Sequence, residues 1–123
     1  MANIDRAYVT VGLSLLVLGM LLGFYMGATG ENKYLDVHVA ILLGGFVVMT
    51  FYGVIYRLWP VLKDGTLVKA QFWIAVIGSL LIPVGAGLIA NQMGTAVAAA
   101  GSALAILGAV LMVWIFWSRA GEG

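Results

Sequence analysis

Cysteine is absent from the 123 residues, which excludes disulfides, zinc–thiolate sites, iron–sulfur clusters and thiol catalysis. Histidine occurs once, at His38, so no multi-histidine metal site can be assembled within a single chain. Charge is equally scarce: charged residues make up 9% of the sequence, against about 25% in an ordinary soluble domain. A chain so poor in charge cannot cover its own surface for water. A net charge of +1 also lacks the dense basic face that nucleic acid requires. With one histidine, a nucleophile, a base and an orienting group cannot be gathered in one place, so an enzyme is not expected. Ser14, Ser79 and Ser102 are expected to hydrogen-bond back to their own helices.

What is present is hydrophobic: 63% of residues, with a mean hydropathy of +1.10. Lipid is the natural solvent of such a chain. A membrane helix needs about 20 apolar residues, and segments near 8–28, 37–59, 70–90 and 95–117 meet that length. None carries an acidic residue, and Arg57 lies near enough to an end to snorkel. The first span is too long and too rich in glycine for a signal peptide. Short connections force consecutive helices to lie antiparallel and adjacent. The expected fold is therefore all-α, a single transmembrane domain over 1–123 built as a polytopic up-down-up-down four-helix bundle.

Basic residues orient it. Arg6, Arg57, Lys63, Lys69 and Arg119 share the side of the termini, while Lys33 stands alone on the other. Both termini are thus expected in the cytoplasm. Tyr56, Trp59, Phe72, Trp73, Trp114, Phe116 and Trp117 read as the inner aromatic belt, and Tyr25 and Tyr34 as the outer one.

Small residues form stripes on two helices. Gly12, Gly19, Gly23 and Gly27 line one face of the first span, and Ala98, Gly101, Ala105 and Gly108, then Met112, one face of the fourth. Both predict close helix contacts, within one chain or between copies. The first stripe also suits a flat cofactor laid against the backbone. Pro83 in the third span, flanked by Gly85 and Gly87, frees the carbonyl of Ser79 and predicts a bend.

The second span carries the one ligand-capable imidazole. His38, Leu42, Gly45, Met49 and Tyr52 fall on one face, so a glycine lies two turns deeper than the histidine. A planar macrocycle held edge-on to a helix wants that clearance. The plainer reading is a histidine hydrogen-bonded near the interface. An ionisable residue within a membrane points to function by default.

Asp36-Val37-His38-Val39-Ala40-Ile41-Leu42-Leu43-Gly44-Gly45, continuing through Tyr52-Gly53 to Tyr56-Arg57-Leu58-Trp59-Pro60, resembles the histidine-bearing helices of haem-copper oxidase subunit I. It looks still more like the small four-helix membrane proteins related to that subunit. The likeness covers the second helix and its exit. It implies haem b in a prokaryotic inner membrane, with His38 as axial ligand and Gly45 giving the ring room. A second His38 across a dimer, Met26 or Met93, or an open position would complete the iron. The implied role is electron transfer or sensing. Because the oxidase subunit repeats a four-helix group three times, the resemblance also favours a homotrimer over a dimer, with sites between copies. Three copies of His38 could also meet around a metal on the trimer axis.

The sequence departs from that pattern at Asp36, where a first histidine would stand, and at Ala40, which replaces a polar residue. Propionate partners are reduced to Lys33, Asn32, Asn91, Gln92 and Tyr34, without an arginine. Other classes fare differently. A small multidrug transporter requires a carboxylate within the first span, and Asp5 precedes it. A fluoride channel requires a buried polar track. A structural or assembly subunit that uses its glycine stripes and no chemistry is the main alternative, followed by a transporter-like binder of lipid or a small apolar molecule.

Overall fold

A computed structural model describes residues 1–122. Four helices follow one another: α1 (Ile4–Thr29), α2 (Leu35–Leu58), α3 (Thr66–Ala90) and α4 (Ala96–Arg119), each long and apolar enough to cross a membrane. No strand occurs among the described residues. The helices match the expected spans; at the end carrying the termini α1 and α3 begin about a turn earlier, so that α1 takes in Asp5, and α4 runs on to Arg119. The reason is length. At 26 residues α1 is about 39 Å long, more than the roughly 30 Å of hydrocarbon, so its first turn can carry polar side chains. Asp5, placed before the span by composition, is consequently a buried residue of α1.

The ends are closed locally. At Gly30 a φ of 70° lets the N–H return to the Met26 carbonyl at 2.9 Å and stop α1. Pro60 opens a single 3-10 turn, Pro60–Lys63, between α2 and α3. The guanidinium of Arg119 donates to the carbonyls of Val61 at 2.8 Å, Leu62 at 3.3 Å and Asp64, tying the end of α4 to that turn.

Glycine determines which helices touch. A Cβ at Gly78 would lie 2.8 Å from the Ala105 nitrogen, and one at Gly101 2.8 Å from the nitrogen of Ile82. The α4 stripe is thus an intramolecular seam, closed by a matching stripe of Ala75, Gly78 and Gly85 on α3. The α1 stripe likewise packs on α2: Gly12 meets Thr50 and Phe46, Gly19 meets Leu42, and Gly23 meets His38, while Gly27 faces open space. Two close pairs result, α1 with α2 and α3 with α4. They are joined by contacts of α3 with α2 and, at the terminal end, with Tyr8 of α1.

α3 is helical from Thr66 to Ala90 with Pro83 inside it, and Ser79 Oγ donates back to the Val76 carbonyl of its own helix at 2.8 Å, as expected. Within α2, residues Ala40–Val47 are wound as π-helix, immediately after His38 and across Gly44 and Gly45. Such wide turns are uncommon and mostly short. The belt also divides. Trp73, Trp114 and Trp117 are exposed, Trp117 by 84%, but Tyr56 and Phe72 turn inward and join the core. Both belong to an aromatic cluster around Tyr8, whose ring stacks on Tyr56 at 5.9 Å and meets the edge of Phe72 at 4.8 Å.

Candidate functional site

His38 stands in the first turns of α2, half-buried against α1. Its Nδ1 lies 2.9 Å from the carbonyl oxygen of Gly19. A carbonyl only accepts, so Nδ1 carries a proton, and in the neutral ring Nε2 holds the lone pair. The ring fits the notch left by Gly23: a Cβ there would sit 2.8 Å from Cε1, 3.4 Å from Nδ1 and 3.6 Å from Nε2. The glycine stripe of α1 and the histidine of α2 are therefore one construction. Without side chains at Gly19 and Gly23, the imidazole reaches a helix backbone.

The other residues expected at a haem site are placed apart. Gly45 is buried on the α1 side, where a Cβ would meet Leu15 Cδ1 at 2.7 Å, so its free space is filled by a leucine. Met26 lies on the face of α1 that carries Gly19 and Gly23 and is 8% exposed. Met93 is at the tip of the α3–α4 hairpin, 69% exposed. Three of the expected propionate partners bind one another: Lys33 Nζ donates to Asn91 Oδ1 at 2.8 Å, and Asn91 Nδ2 donates to the Tyr34 hydroxyl at 3.4 Å as well as to the Gly87 carbonyl at 2.8 Å. Asp36 is exposed in the first turn of α2.

Nδ1 is engaged by the Gly19 carbonyl and Cε1 is the ring atom nearest Gly23, so Nε2 is the nitrogen that would hold a haem iron.

A second polar cluster, not anticipated from the sequence, lies towards the terminal end. Gln71 of α3 is completely buried, and its Oε1 accepts from the Tyr8 hydroxyl at 2.5 Å and the Tyr56 hydroxyl at 3.2 Å. Its Nε2 donates to the Gly108 carbonyl at 3.2 Å. One amide thereby joins all four helices. The available signal was an amide inside an apolar run, since polar side chains in membrane helices mark interhelical bonds. Beside it, Asp5 Oδ2 meets Arg57 Nη1 at 3.1 Å and Oδ1 meets Lys63 Nζ at 3.3 Å.

Cavities lie elsewhere. One of about 260 Å³ is lined by Gly44, Met49, Tyr52, Ser79, Ala105 and Ala109 among others. A second of about 380 Å³ runs along Phe51, Tyr52, Ala109, Met112, Phe116 and Trp117. Tyr52 and Ala109 border both, so the two adjoin as a groove between α2 and α4, which α3 holds apart. His38 lines neither. No known protein family, curated protein or solved structure matches this chain.

Proposed function

We propose that the chain is a non-enzymatic assembly module of a membrane, a four-helix unit that associates with further copies of itself. The carrying observation is the open groove between α2 and α4, edged by Gly44, Ala105 and Ala109. Without a hydrophobic driving force in lipid, helices associate where small residues allow close approach. The seams of α1 and α4 are closed inside the protomer, whereas Gly44, with open space beside it, and exposed Ala109 of this groove are free to meet a neighbour. His38, Gln71, Tyr8 and Tyr56 support the same reading, because each binds a group on another helix. Subunit counting in dilute lipid bilayers tests it. The wild-type chain is expected as a closed oligomer, three copies on the oxidase resemblance, and Ala109→Trp as a monomer with the unfolding midpoint retained. A wild-type chain that stays monomeric at every density contradicts the proposal.

A second reading is a haem b protein for electron transfer or sensing, in a prokaryotic inner membrane with both termini cytoplasmic. It is favoured by Nε2 of His38, which has no hydrogen-bond partner among the described residues, and by Met26 on the facing stripe. On this reading Nε2 of His38 would hold the iron at an interface between copies. Haem would then supply one-electron chemistry.

A further inference from the structure

Near the terminal end, α1 and α2 enclose a cleft of about 340 Å³ that opens to the outside of the bundle. Arg6 and Arg57 line it together with Asp5, and Val9, Gly53 and Val54 form its apolar part. Gly53 sets the geometry: a Cβ there would meet Val9 Cγ2 at 2.6 Å and the Asp5 carbonyl at 3.0 Å. The close approach brings Arg57, one turn further along α2, beside Asp5. The Asp5 side chain is 5% exposed and held by two cations, whereas the Arg57 side chain remains 75% exposed. Arg6 is also exposed. Asp5 is thus paired with Arg57 and Lys63 while Arg6 lines the same cleft, which leaves the cleft and its rim positive.

We propose that this cleft binds an anionic phospholipid, its phosphate between Arg6 and Arg57 and its glycerol and upper acyl chain along Val9, Gly53 and Val54. Two features favour lipid over a free anion, and a third suits the phosphate itself. The cleft lies at the end of two membrane-spanning helices, where headgroups are found. Its charged part adjoins an apolar part continuing along the helices. Arg57 retains donors beyond the one given to Asp5, and arginine matches phosphate with paired N–H groups. Basic pockets between membrane helices bind lipid headgroups in this way. The Asp5 carboxylate, neutralised on both oxygens, orients Arg57 rather than repelling the phosphate.

The test is native mass spectrometry of the full chain from micelles doped with equal phosphatidylglycerol and phosphatidylcholine, with excess inorganic phosphate as a separate competitor. Wild type is expected to retain phosphatidylglycerol preferentially. Arg6→Gln, which removes an exposed side chain, is expected to reduce retention about fivefold, the effect of one basic residue near a lipid surface. Lys69→Gln, exposed at the same end but outside the cleft, is expected to leave retention unchanged. Equal retention of the two lipids overturns the proposal, as does an equal loss in Lys69→Gln, which would mean diffuse surface charge. Displacement by inorganic phosphate overturns it in favour of a free-anion site. A melting scan of Arg6→Gln at the wild-type midpoint shows that any loss comes from the site and not from unfolding.

Discussion

Single polar residues decide how this bundle is held. The amide of Gln71 takes two tyrosine hydroxyls and gives one N–H to the Gly108 carbonyl, fully buried in the bundle. Gln71→Leu has nearly the same bulk but strands the Tyr56 hydroxyl and leaves the Tyr8 hydroxyl only the residue-71 carbonyl at 3.3 Å, and an unsatisfied buried donor costs about 1–3 kcal/mol. A steady-state unfolding titration in mixed micelles is expected to show that loss. His38 acts on a smaller scale, because interhelical hydrogen bonds in membranes contribute about 0.6 kcal/mol and at most about 1.7. His38→Ala is expected to lie in that range in the same titration. Gly23→Val, which drives a side chain into the imidazole, is expected to destabilise by about 1–3 kcal/mol, as overpacking does. The histidine was legible as the residue to explain, but its partner was not. Gly19 and Gly23 were visible as a stripe, and nothing in their spacing says which neighbour fills it. Gln71 was legible only as an amide inside an apolar run, and Tyr8 and Tyr56 were hidden because tyrosine near a helix end fits a belt as well as a core.

At the scale of the helices, the spans and their order were readable because length and apolar composition dictate them in lipid. Helix ends were less so, since a helix continues past the hydrocarbon wherever its polar groups find partners, as Asp5 does with Arg57 and Lys63. The α4 stripe pointed to a close contact but not to its location. Its complement on α3 is broken by large residues and so did not stand out. Gly101→Val tests the seam: its new side chain meets backbone of α3 at Leu81 and Ile82, which has no rotamer to yield. It is expected to lower the unfolding free energy by about 1–3 kcal/mol. Gly27→Ala, with open space beside it, is expected to stay within about 0.5 kcal/mol of wild type. The π-helical stretch of α2 left no trace in the sequence, because Ala40–Val47 has the composition of any membrane helix and its winding is decided by the packing around it.

For the whole molecule, two helix pairs closed by glycine seams leave a groove between α2 and α4, and Gln71 with Tyr8 and Tyr56 holds the pairs together, while Thr50 Oγ1 is buried without a partner. His38 is the point at which assembly and cofactor chemistry give opposite expectations. The most direct measurement is an absorption spectrum of the purified chain after incubation with haem, oxidised and dithionite-reduced, beside His38→Ala. If the imidazole serves the α1–α2 contact, no Soret band attributable to His38 appears in the wild-type chain, and the variant differs only in stability. A Soret band with reduced α and β bands, present in wild type and lost in His38→Ala, would contradict that role and establish His38 as a haem ligand.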